Sequence, residues 1–122
     1  MSNECACSAA PKLIFACSGA ADVGAIADQA ARKLNKEGVG KMFCLVGIGG
    51  RVSGIMKTSE SASAILAIDG CPLDCAKQCL EQAGFGNFRH LRLADLGMEK
   101  GSSLPTEERI ALTAEKAAQL LV

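Results

Sequence analysis

The sequence predicts an α/β fold in three layers: a four-stranded, mostly parallel sheet with helices on both faces, of the Rossmann-like kind. Three observations predict it. Short apolar runs at 12–16, 42–46 and 64–68 have the length and composition of buried strands. Longer segments of helical period separate them, as the crossovers of a parallel sheet require. The chain has 122 residues, the size of one ordinary domain, and half of it would fall near the ~60-residue length at which burial becomes marginal. We therefore expect a single domain over 11–122. The first ten residues carry Cys5-Ala6-Cys7 among Ser, Asn and Ala without a hydrophobic period, and are expected to form a flexible tail.

The first strand, 12–16, is followed by the turn residues Ser18 and Gly19. Val23, Ile26, Ala27, Ala30 and Leu34 then recur on one face of an amphipathic helix, which Gly38 and Gly40 stop. The second strand, 42–46, contains Cys44 and ends in the turn Gly47-Ile48-Gly49-Gly50. A short helix over 51–61 follows. The third strand, 64–68, reaches Asp69-Gly70, after which Cys71 is expected to cap a helix that Pro72 begins, since its missing N–H would have no partner there. Residues 88–94 alternate more, with Arg89, His90 and Arg92 among the apolar residues, and read as a half-exposed edge strand. Thr106 is placed to cap a last helix whose first turn holds Glu107 and Glu108, where the helix dipole favours anions.

Composition excludes several functions. Thirteen basic residues balance thirteen acidic ones and are dispersed, whereas a nucleic-acid binder needs a basic face and, usually, aromatics to stack bases. Trp and Tyr are absent. The longest apolar stretch, 43–48, falls far short of the ~20 residues of a spanning helix, so no membrane partner is expected. The amino terminus lacks the positive segment of a secretory signal. The expected location is the cytoplasm, where the seven cysteines stay reduced. Their number is odd, and they are left to bind metal, perform redox chemistry or pack.

Asp69-Gly70-Cys71-Pro72-Leu73-Asp74-Cys75 is the most informative stretch. With Cys71 capping a helix, Cys71 and Cys75 sit one turn apart on one side, and the positive helix end favours a thiolate at Cys71. A thiolate binds zinc or attacks an electrophile; the competing explanation is that a tight corner needs small residues. Cys79 continues the spacing, but the helical wheel puts it near the core face of Ala76, Leu80 and Ala83, which favours packing. Cys17 ends the first strand, and a central first strand brings it beside the loop of Cys71. The arginine of a phosphatase loop is missing, because Val23 stands six residues on. Cys44 is as readily a buried strand residue as a ligand. Gly47 to Arg51 lacks the ending of a nucleotide loop and reads as a turn. Asp69 and Asp74 are candidates to orient ligands, and His90, the single histidine, is expected far from them.

Cys17-Ser18-Gly19, Cys44-Leu45-Val46-Gly47-Ile48-Gly49-Gly50 and the Asp69 to Cys75 stretch together resemble the DGC-domain family, named for its Asp-Gly-Cys motif. The resemblance covers nearly the whole chain from Lys12 onward. It implies a zinc binder without an established reaction, with Cys17, Cys44, Cys71 and Cys75 as the metal ligands. Cys5, Cys7 and Cys79 fall outside that set, although any of them is an alternative fourth ligand to Cys44. The leading expectation is a zinc-binding protein whose partner is the metal ion. The alternative is a thiol redox enzyme or sulfur carrier, with Cys71 as nucleophile and Cys17 or Cys75 resolving the product. Biological role and protein partners are not legible.

Overall fold

Alternation within the strands decides which side chain meets which layer. In the computed structural model, which describes residues 10–121, the elements run β1 (Lys12–Ala16), α1 (Asp22–Lys36), β2 (Lys41–Met42), α2 (Leu45–Gly49), α3 (Ser53–Glu60), β3 (Ala64–Asp69), α4 (Cys75–Gln82), β4 (Arg89–Arg92), a 3-10 turn (Leu93–Leu96) and α5 (Glu107–Leu120). Neighbouring strands lie in the order β2-β1-β3-β4, and every pair is parallel. Ile14, Ala16, Leu66 and Ile68 point to one face, where they pack with Val23, Ile26, Ala30 and Leu34 of α1 and Ala114 and Ala117 of α5. The intervening Leu13, Phe15, Ile65 and Ala67 point to the other, against Ile48 of α2, Ala76 and Leu80 of α4, and Ile55 and Met56 of α3. This period of two on a sheet covered on both faces is why the central strands read as continuous apolar runs.

The three-layer α/β expectation holds, and β1 and β3 are the inner strands. β4 lies at an edge, as its alternation indicated, and carries exposed Arg89 beside buried Leu91. Thr106 caps α5, its hydroxyl accepting the Arg109 N–H at 3.2 Å. Residues 1–9, which include Cys5 and Cys7, lie outside the described residues, so the expected tail does too except for Ala10. No helix among the described residues is long and apolar enough to cross a membrane.

Two elements differ from expectation, and both bear on the site. The second strand stops at Met42. Cys44 then caps α2, its Sγ accepting the Gly47 N–H at 3.3 Å, so the anticipated glycine turn is a helical turn. Gly47 allows it to pack, since a Cβ there would stand 2.1 Å from Ile55 Cδ1. Likewise α4 begins at Cys75, not at Pro72. Its cap, Asp74, is left-handed with φ of 55°, because the chain must first turn through Cys71, Pro72 and Leu73 before entering the helix.

Candidate functional site

A strand order that reverses between β1 and β3 sends the loops after them to opposite faces, which opens a crevice at the carboxyl ends of the strands. Cys17 stands there. Its N–H extends the ladder to Ile68 O at 3.0 Å, and its Sγ accepts the Gly70 N–H at 3.3 Å. Gly70 is required by close approach from the other side: a Cβ at this position would lie 2.7 Å from the Val23 carbonyl carbon at the start of α1. Cys71 follows, half-buried, and Cys75 occupies the first position of α4. Burial, then the Asp69 carboxylate, then Cys17 and Cys71 raise the Cys75 thiol above its ordinary value, while Lys100 opposes them. Three thiols and a carboxylate are thus electrostatic neighbours at the expected crevice.

The other predicted site residues fall as follows. Cys71 does not sit at a helix end, so the argument that a helix dipole favours its thiolate, offered for metal binding and for a nucleophile alike, does not apply. Cys44 is exposed and not in a strand; it shares with Cys17 the lining of a cleft of about 700 Å³. Cys79 is half-buried and turned toward α2, its Sγ 3.4 Å from the point a Gly49 Cβ would occupy. The Arg51 guanidinium is engaged by the backbone: it donates to Ile48 O at 2.8 Å and Gln82 O at 2.9 Å, at the carboxyl ends of α2 and α4.

His90 is a correction of position. Its Nε2 lies 2.8 Å from Asp69 Oδ2 and 3.8 Å from Asp74 Oδ1, because β4 pairs in register with β3 and pleats His90 toward the end of that strand. Asp69, Asp74 and His90 form the one group of three metal-capable residues among the described residues whose ligand atoms all lie within 4.8 Å. Both carboxylates are already hydrogen-bonded within the protein. Asp69, 1% exposed, accepts the Ala76 N–H at 2.7 Å and the Lys77 N–H at 3.0 Å, so it satisfies two orphan donors of α4 as a remote cap. Asp74 accepts from Arg92 Nε at 2.8 Å and Nη2 at 2.6 Å, and Arg92 foremost holds its carboxyl below the ordinary range. The cluster therefore binds β3, α4 and β4 together behind the cysteines. A carboxylate ending a strand seven residues before a helical N–H was the available signal for Asp69; His90 carried none, because its partner lies on another strand.

Comparison with known proteins follows from the same residues. The sequence profile of the DGC domain matches residues 13–118. Over 88 residues the chain is 38% identical to the anaerobic and virulence modulator AnvM of Pseudomonas aeruginosa, an alignment that covers 72% of this chain and 67% of that protein. No solved structure matches.

Proposed function

The chain belongs to the DGC domain family, and from that premise we propose that it is a zinc-binding protein whose ligands are Cys17, Cys71, Cys75 and Cys44. One observation carries the reading: Cys17 Sγ rests on the Gly70 N–H, so the end of β1 meets the Asp69-Gly70-Cys71 loop with Cys75 close by. Reduced sulfurs gathered around a crevice repel one another once ionised, and a soft divalent cation relieves that repulsion while displacing the thiol protons. The donor set fits zinc, which takes four thiolates at ~2.3 Å in a tetrahedron. Among the described residues, no three cysteine sulfurs lie within 4.8 Å of one another. Closure therefore asks the four sulfurs to move toward one another, and the Gly70 and Gly47 N–H groups can go on donating to Cys17 and Cys44 as thiolates. Cys44 is exposed and lines the cleft, and the reading makes it the exchangeable ligand. A site with one such ligand suits sensing or transfer of metal.

The test is metal analysis of protein purified reduced, without added metal or chelator. About one zinc per chain is expected, as a four-thiolate site holds one ion. Cys71→Ser and Cys75→Ser should lose it, and Cys79→Ser should keep it. Metal-free wild-type protein that also fails to take up added zinc would overturn the proposal.

A further inference from the structure

The cleft beside the thiol site has a chemistry of its own. Cys17 and Cys44 lie in its lining, and so does one face of α1 bearing Asp28, Arg32 and Asn35 at helical spacing. Asp28 is held in place twice: Ser18 Oγ, on a residue with φ of 50°, donates to its Oδ1 at 2.8 Å, and Arg32 Nε donates to Oδ2 at 2.6 Å. Engaging Arg32 through Nε leaves Nη1 and Nη2 with no hydrogen-bond partner among the described residues, on a side chain 63% exposed. Asn35 is oriented by the same logic. Its Oδ1 accepts the Met42 N–H at 2.8 Å, which commits the amide's acceptor and leaves its two Nδ2 protons as donors. One wall thus offers oriented donors, and the lining also offers soft sulfur. Phe43 and the exposed Val46, also in the lining, supply apolar surface.

We propose that this cleft binds a small carboxylate-bearing thiol, with its carboxylate on Arg32 and Asn35, its short aliphatic body against Phe43 and Val46, and its thiolate directed to the metal on the Cys17 and Cys44 side. The thiol part rests on the zinc reading above; the carboxylate part does not. A guanidinium fork matches a carboxylate in plane and charge. The Asp28 carboxylate cancels the Arg32 charge, so this wall has no surplus charge for a group that carries two negative charges in one place, such as phosphate, and a carboxylate, which carries one, is the better fit there. A soft metal prefers an incoming thiolate to an oxygen or amine ligand. The ligand's S–H bond would break as its sulfur takes the place of Cys44 on the metal, and the released Cys44 thiolate would take up that proton, so the site keeps four sulfur ligands and an unchanged charge.

The experiment titrates zinc-loaded protein with 3-mercaptopropionate, cysteamine, propionate and inorganic phosphate, following backbone amide shifts and calorimetric affinity. 3-Mercaptopropionate should bind at least about tenfold tighter than cysteamine, the worth of one charge-assisted hydrogen bond, with shifts at Arg32, Asn35 and Val46. Phosphate should give none there. Arg32→Gln should reduce the 3-mercaptopropionate affinity to that of cysteamine, whereas Lys36→Gln on the same helix should not. Equal affinity for the two thiols, or an Arg32→Gln variant that binds like wild type, would overturn the proposal. A separate arm uses metal-free protein and propionate alone. Shifts at Arg32 and Asn35 that Arg32→Gln removes support the cleft even if zinc binding fails, and their absence refutes the cleft even if zinc binding holds.

Discussion

At the scale of single residues, the environment of Cys75 governs how the site charges. Burial foremost, and then Asp69, Cys17 and Cys71, raise its thiol pKa, so in metal-free, reduced protein the pH profile of Cys75 alkylation should be displaced upward from that of a free thiol. Zinc should protect it across the whole range, because a bound thiolate no longer awaits deprotonation. Peptide mass spectrometry after timed alkylation reads both; a Cys75 that reacts at the free-thiol midpoint would contradict the geometry. The cysteine types and spacings were legible in the chain, and so was the closeness of Cys17 to the Cys71 loop, because a central first strand entails it. Which cysteine begins the helix was not. The expectation placed Pro72 at the first helical position on local preference, whereas the loop from Gly70, wedged against the Val23 backbone, spends three further residues in a turn before Asp74 reaches its left-handed cap.

At the scale of elements, α4 depends on a cap that lies outside its own turn. Asp69→Asn retains the shape but replaces one acceptor oxygen with a donor that faces N–H groups. It should therefore destabilise the protein by about 2 kcal/mol, the cost of leaving a buried donor unpaired, seen as a lower urea midpoint. Gly70→Ala should loosen the same corner, since its Cβ would meet backbone and not a yielding side-chain end; weaker zinc retention than wild type is the expected readout. The amino-terminal thiols belong to this scale too. Pro11 O accepts the Ser63 N–H at the amino end of the β1–β3 ladder, about 20 Å from Cys17 at ~3.3 Å per strand residue. Removing residues 1–10 should leave fold and zinc content unchanged, by circular dichroism and metal analysis, and a loss of zinc would transfer a ligand role to Cys5 or Cys7.

At the scale of the whole molecule, the pair of Asp74 and Arg92 joins α4 to the edge strand and makes stability depend on pH. The native carboxyl pKa is depressed, so this contribution is complete above the ordinary carboxylate value of ~3.9 and is lost as pH falls from there through the lower native value. Urea unfolding between neutral and acid pH should show that loss in the wild type and a flatter profile in Asp74→Asn. The sequence by itself determined the α/β class, the central place of the first strand, the edge strand at 88–94, the last helix with its cap, and the family, because apolar runs, helical period and short motifs are local in the chain. Only the tertiary structure decided that His90 reaches Asp69, that Cys44 caps a helix beside a cleft, and that Arg51 serves two helix ends. Each of these depends on register between strands or on the packing of one helix against another, and such contacts join residues whose separation along the chain carries no periodic signal.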